Sequence, residues 1–311
     1  MRSSSILSLC GAALCVSSIL LFSGCEDSNP AGAGTALTPH VLFTSDRDGN
    51  AEIFTMDADG TGQQQLTSTS SDVGNYDAAS SPDYSRIVFC SDRYGTTESM
   101  YSLFLMDGEG AGVMQLTSGF LDEFPRWSPD GRKVVFTRFN TEYSVDIYVV
   151  GADGRNQQQL TAASGTSRNY LAVWSPEDNK IAFVSDRDGN SEIYVMDGNG
   201  ANQRQLTATS GTTLDSSSIY SSNPWFTPDG RQLVFASNRD GDAEIFIMNL
   251  DGSGIKQLTM NLADDADPQF APGCDKIFFV SDRDGDDEIF SMKTDGTNQQ
   301  QLTSNANDDW F

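Results

Sequence analysis

The chain reads as all-β: a six-bladed β-propeller of four-stranded antiparallel blades, the ring closed by the C-terminal strand joining the N-terminal blade. Three observations predict this. The stretch Ser45 to Thr67 returns five more times in recognisable copies, each ending in Gln-Leu-Thr, with the leucines of those triplets 50, 44, 46, 52 and 44 residues apart. A period in the mid-forties without helical apolar spacing fits a unit of four short strands. Finally, the first unit begins at Val41, already in its second strand, and a match to the missing first strand stands at the other end of the chain.

Each unit divides into strands a to d. In the third copy, Pro125-Arg126-Trp127 reads as a, Val134-Val135-Phe136 as b, Asp146 to Val150 as c, and Asn156 to Thr161 as d. The c–d turns hold Asp59-Gly60, Glu109-Gly110, Asp153-Gly154, Asn199-Gly200, Asp251-Gly252 and Asp295-Gly296. Such dipeptides supply the positive φ that a tight hairpin needs. Five b–c turns do likewise, while the third copy departs with Arg138-Phe139-Asn140 and a polar insertion. Asn307 to Phe311 aligns with Ala266 to Phe270, strand a of the sixth unit, so the tail is expected to complete the first blade and remove an open sheet edge.

Residues 1–24 read as an export signal: Arg2 gives a positive start, Ile6 to Phe22 an apolar run, and Phe22-Ser23-Gly24-Cys25 a lipobox-like end. The end resembles bacterial lipoprotein signals, which implies cleavage before Cys25 and a diacylglycerol on its sulfur; an ordinary secretory signal is the alternative. Residues 25–40, rich in Gly, Ala and Pro, read as a flexible tether, and 41–311 as the propeller. Cys90 and Cys274 then remain in the domain, in units too far apart for a disulfide to be expected.

The consensus P-x-W-S-P-D-G-x-x-I-x-F-x-S-D-R-D-G-x-x-E-I-[FY]-x-M-D-x-D-G-x-x-x-x-Q-L-T resembles the TolB-type propeller repeat, a relative of the WD repeat, over residues 41–311. The resemblance implies a binding platform for an envelope protein or peptide; the lipobox-like end separately implies an exported chain held to a bacterial membrane through its N-terminal lipid alone, and the protein is expected to be non-catalytic and monomeric. The resemblance also has departures: the sequence leaves no room for the N-terminal α/β domain of that family, and it carries an acylation signal.

Composition narrows the alternatives. With Asp+Glu at 44 against Lys+Arg at 19 and a net charge of -25, the surface repels phosphate backbones, so nucleic acid is not an expected partner. The one histidine, His40, stands beside the tether, which leaves no Ser-His-Asp machine, and no Gly-x-Ser-x-Gly elbow occurs. Zinc and redox metals lack Cys/His clusters. Calcium is the cofactor the residues leave open. Asp77, Glu123, Asp267 and Asp308, standing just before inner strands with Tyr170 and Asn223 in the equivalent places, would ring the channel mouth, where convergent carboxylates need a cation or water.

By propeller geometry, b–c turns and d–a connections share a face. That face would carry Asp46, Arg47, Asp48, Asp92, Arg93, Asp186, Arg187, Asp188, Asn238, Arg239, Asp240, Asp282, Arg283 and Asp284, together with the longer connections Ser164 to Tyr170 and Gly211 to Asn223. Alternating Asp and Arg suit a polar or basic partner surface; the bland reading is a hairpin turn capped by Asp with Arg pairing locally. Trp127, Trp174, Trp225 and Trp310 fall in inner strands and are expected to pack between blades. Trp225 adjoins Phe226, so one of the two must point the other way, and a carbohydrate-binding or carbohydrate-processing protein using Trp225 at the channel is the rival reading.

Overall fold

The computed structural model describes residues 40–302 apart from 46–49, 58–63, 71, 95–100, 119–120, 141–143, 210–219, 271–275 and 286. Among the described residues every regular element is a strand. The first sheet holds β1 (His40–Ser45), β2 (Glu52–Asp57) and β3 (Gln64–Gln65). The second holds β4 (Asn75–Ser80), β5 (Arg86–Ser91), β6 (Ser102–Asp107) and β7 (Met114–Gln115). The third is built of β8 (Leu121–Trp127), β9 (Lys133–Phe139), β10 (Val145–Gly151) and β11 (Gln158–Gln159). In the fourth stand β12 (Asn169–Trp174), β13 (Lys180–Ser185), β14 (Glu192–Asp197) and β15 (Arg204–Gln205). The fifth runs β16 (Ser221–Phe226), β17 (Gln232–Ser237), β18 (Glu244–Asn249) and β19 (Lys256–Gln257). The sixth runs β20 (Asp265–Phe270), β21 (Lys276–Ser281), β22 (Glu288–Lys293) and β23 (Gln300–Gln301).

Every sheet is an antiparallel meander in chain order. Five are complete four-stranded blades. The first has three strands among the described residues, and the tail 307–311 expected to complete it lies outside them. So do the export signal, Cys25, Asp46, Arg47, Asp48, Cys274, Asp308, Trp310 and most of the connection from Gly211 to Asn223.

Each b strand is apolar on both faces because it is covered on both sides. Ile87 and Phe89 pack toward Leu42 and Ile53 of the first sheet, whereas Val88 and Cys90 pack with Trp127 and Val134 of the third. The same period-two division recurs with Ile181 and Phe183 on one side and Ala182 on the other. Burying one Phe or Ile in this way contributes about 1.5–3 kcal/mol.

The repeated motifs meet across blade boundaries. The Gln-Leu-Thr leucines Leu116, Leu160, Leu206 and Leu258 each enter the core shared with the following sheet. The c–d glycine of that sheet then closes over the leucine: a Cβ on Gly200, whose φ is +86°, would stand 2.6 Å from the Leu160 carbonyl oxygen. Glycine is demanded there by backbone conformation and by close approach together.

Candidate binding face and channel

The inner strands share an irregularity that shapes the channel. In each complete blade the a–b register slips, between Tyr76 and Ala79, Glu123 and Arg126, Tyr170 and Val173, Ser222 and Trp225, and Ala266 and Gln269. Inside each slip one residue takes positive φ: Asp77, Phe124, Leu171, Asn223 and Asp267, all between 50° and 54°. Asp and Asn tolerate this conformation; Phe124 and Leu171 are strained by it. Glu123 and Tyr170 therefore stand one residue ahead of the ring position assigned to them from sequence. The five equivalent places hold two carboxylates, an amide and two apolar residues.

The described channel acids do not converge. Asp77 is buried and accepts a hydrogen bond from the Cys90 thiol, Sγ to Oδ2 at 3.3 Å. Glu123 is buried in its own strand. Asp267 accepts a hydrogen bond from the Asn223 amide. Among the described residues no three His, Cys, Asp or Glu side chains are grouped to hold a metal ion. Burial pushes the Asp267 carboxyl up to about 7, with Asp287 adding to the rise while Asn223 and Arg126 oppose it.

Around Asp267 the channel widens into a cavity of about 440 Å³ whose wall includes Arg168, Tyr170, Asp186, Tyr220 and Asn223. Tyr170 shares a hydrogen bond with Ser191 at 2.8 Å, and burial raises both tyrosine hydroxyls above the usual phenol range. Deeper in, Arg126 places its guanidinium 5.7 Å from the Trp225 ring. Trp225 is half-buried and lines the channel, while Phe226 beside it is buried between sheets. At the other end a cavity of about 390 Å³ lies among Leu42, Trp127, Trp174, Trp225, Phe270 and the prolines of the a–b turns. Trp127 and Trp174 are core residues, and Trp127 Nε1 donates to the Ala79 carbonyl at 2.9 Å.

The Asp-Arg turns are built differently from a row of free charges. Their first residue ties down the chain entering the inner strand: Asp92 accepts from Gly74 N (2.8 Å), Asp186 from Arg168 N (2.5 Å), Asn238 from Tyr220 N (2.8 Å) and Asp282 from Asp264 N (2.8 Å). Their arginines turn back onto the blade. Arg93, Arg187, Arg239 and Arg283 lie with guanidinium carbons 4.3 to 4.9 Å from the Phe104, Tyr194, Phe246 and Phe290 rings. Their Nη2 atoms donate to Asn75 (2.6 Å), Asn169 (2.7 Å), Ser221 (3.1 Å) and Asp265 (2.8 Å), at the start of the inner strand. Stacking and a charge-assisted hydrogen bond together make each arginine a clamp between strands. The third members stay at the rim: Asp188, Asp240 and Asp284 are exposed and accept from Tyr194, Gln257 and Gln301 of their own blades. Arg93, Arg239 and Arg283 are half-buried by these contacts, whereas Arg187 and Arg168 stay exposed beside the rim acids.

A second relay runs from blade to blade, and its residues are ones the sequence reading passed over. Glu52 accepts from Thr67 (2.5 Å), from the Thr69 N–H (2.6 Å) and from Asn75 of the next blade (2.7 Å). Asp146 does the same with Thr161 (2.8 Å), the Ala163 N–H (2.8 Å) and Asn169 (3.1 Å). The threonine is the one in Gln-Leu-Thr and the acid is the Glu or Asp opening [Glu/Asp]-Ile-[Phe/Tyr]. Their fixed separation in the repeat was the available signal.

Comparison with known proteins agrees with this architecture. Residues 35–171 and 212–310 match the TolB beta propeller domain. A protein TolB homolog of Chlorobium luteolum is 29% identical over 161 residues, covering 52% of this chain and 35% of the relative, and a second from Chlorobium chlorochromatii is 30% identical over 53% of this chain and 36% of its own length. The chain thus spans about a third of the length of these curated relatives. The crystal structure of TolB from Acinetobacter baumannii superposes with a TM-score of 0.67 at 22% identity, over 86% of this chain and 64% of that one. An oligogalacturonate lyase in complex with manganese superposes at 0.61 with 15% identity, over 84% of this chain and 73% of that one. Likeness at these identities establishes the fold, and enzymes share it. The repeat, the sheets and the family match over most of the chain lead to one conclusion: this protein belongs to the TolB beta propeller domain family.

Proposed function

We propose that the protein is a non-catalytic, lipid-anchored platform of the cell envelope that binds an envelope protein or peptide through the face carrying the b–c turns and the Asp267 cavity. The observation that carries this reading is the inward turn of the arginines. It leaves Asp188, Asp240 and Asp284 exposed at the b–c turns of the face that also carries the Asp267 cavity, whose volume of about 440 Å³ admits a side chain. Such a rim favours a cationic segment and speeds its encounter. Family membership supports a binding role; lipid anchoring through Cys25, export and the monomeric state rest on the sequence. Among the described residues no helix is long and apolar enough to cross a membrane.

The reading includes a closed ring of six blades. β1 is the one b strand without an inner partner among the described residues, and residues 307–311 are the segment proposed to pair with it.

The test is crosslinked co-purification from an envelope extract using the full chain and a variant with D188K, D240K and D284K together. A partner captured by the first and lost from the second supports the reading; equal capture by both overturns the choice of face. Carbohydrate binding is the second reading, favoured by the half-buried Trp225 ring lining the channel. It requires glycan-array binding that W225A removes.

A further inference from the structure

On a chain with net charge -25, three basic side chains gather at the opposite face. Arg86, Arg132 and Lys133 line a cavity of about 490 Å³ at the boundary of the second and third sheets. The repeat explains why their charge is available. Lys180, which opens β13, is opposite Asp197 in the ladder and bonded to it at 2.9 Å. Lys133 occupies the same place in β9, and the residue opposite is Gly151. No side chain stands opposite the ammonium in the ladder, where Asp130 of the adjoining turn is the carboxylate that feels its charge, and the missing side chain also opens the cavity wall that Gly151 forms.

Arg86 comes from the neighbouring blade and is held in position. Its ladder partner Asp107 has its carboxylate engaged by the N–H groups of Glu109 and Ala111, at 3.0 and 2.8 Å. Arg86 instead donates through Nη2 to the Gly131 carbonyl at 2.7 Å and rests its guanidinium 4.7 Å from the Trp127 ring. Asp153 is the acid in the cavity wall, and Asp130 in the adjoining turn accepts from Ser128 and the Arg132 N–H. Three cations therefore outnumber two carboxylates, Asp153 in the lining and Asp130 beside it, with the amides of Asn156 and Gln158 alongside.

We infer that this cavity binds a phosphate group. Guanidinium and ammonium donors arriving from two blades suit an anion with several acceptor oxygens and more than a single charge. Its volume lies within the range of small-molecule sites. Phosphate can arrive free or on a lipid headgroup, and the two sources share the chemistry recognised here.

The experiment is calorimetric titration of the full chain with inorganic phosphate and, separately, with dihexanoylphosphatidic acid, a phosphomonoester, below its critical micelle concentration. Saturable binding of either probe is expected, and the probe that binds tells the source. R132A and K133A, both at exposed side chains, should each weaken it about tenfold, the scale of one charge-assisted hydrogen bond. K180A, whose lysine is paired, should leave it unchanged. Absence of saturable binding by both probes, or equal affinity in K133A and K180A, overturns the inference.

Discussion

Arg138 grips Asp122 with two parallel hydrogen bonds, Nε to Oδ1 at 2.6 Å and Nη2 to Oδ2 at 2.7 Å, and both side chains are buried. In strand register Arg138 stands two residues before the places of Arg93, Arg187, Arg239 and Arg283. Its guanidinium nevertheless lies over the equivalent ring pair, 5.3 Å from Phe136 and 4.8 Å from Tyr148. The blade whose b–c turn departs from the repeat has kept the clamp by supplying it from another backbone position.

A clamp of this kind is worth most when broken on one side. R138A leaves the Asp122 carboxylate buried and unpaired, and the expected loss in urea unfolding is about 3–5 kcal/mol. R138K should recover little of it, because an ammonium cannot reproduce the fork. A loss below about 1 kcal/mol for R138A would show that the pair is incidental to the blade.

That case also marks how far the sequence could be read. The period, the Asp-Gly turns and the two-sided apolar b strands were legible because they arise from local backbone and burial rules, and the sheets follow them. The Arg138 clamp was not, because it depends on where a long side chain ends rather than where it starts. The same holds for the Glu52–Thr67–Asn75 relay, which joins two units that a repeat alignment separates. Channel positions went astray by one residue at Glu123 and Tyr170 because the left-handed residue at each slip leaves no mark in the sequence when it is Phe or Leu.

Charge in the relay predicts a pH dependence. At Glu52 burial pushes the carboxyl up, but hydrogen bonds from Thr67, Thr69 and Asn75 outweigh it and hold the group below its usual range. Glu244 is the equivalent acid of the fifth blade, and the next blade presents Asp265 to it instead of a neutral Asn. Burial together with Asp265 raises it to about 7, against hydrogen bonds from Thr259 and the Asn261 N–H that oppose the rise. A group raised in the folded state stabilises most when protonated. Stability should therefore be fullest below pH 4.5 as far as Glu244 is concerned and decline as pH rises through 7. E244Q should flatten that decline in thermal melts across pH 5 to 8; an unchanged slope would place the proton elsewhere, with Asp267 the next group to substitute.

Backbone strain gives a stabilising prediction. Leu171 holds φ 53° where the fifth blade has Asn223 at 50°. Its N–H donates to Thr137 Oγ1 at 3.2 Å, a bond that any replacement retains. L171N should raise the urea midpoint by an amount corresponding to about 1 kcal/mol, since Asn enters this conformation at lower cost than Leu. A lowered midpoint would mean that the contact of Leu171 with the channel wall outweighs the strain.

Ring closure is tested at the tail. β5, β9, β13, β17 and β21 each lie between an inner strand and a c strand, whereas β1 has β2 alone among the described residues. Leu42 of β1 is buried against Ala78 and Phe89 of the second sheet and also borders the cavity at the a–b end of the channel, so the side on which an inner strand would pair is the side facing that cavity. Deleting residues 307–311 should lower the melting temperature and speed hydrogen exchange in β1 and β2 first, because a strand with one partner opens locally before the rest of the ring. Supplying the deleted pentapeptide in trans should recover part of the protection. Unchanged melting and unchanged exchange in β1 would show that the first sheet is stable with three strands and that the tail does not pair with it.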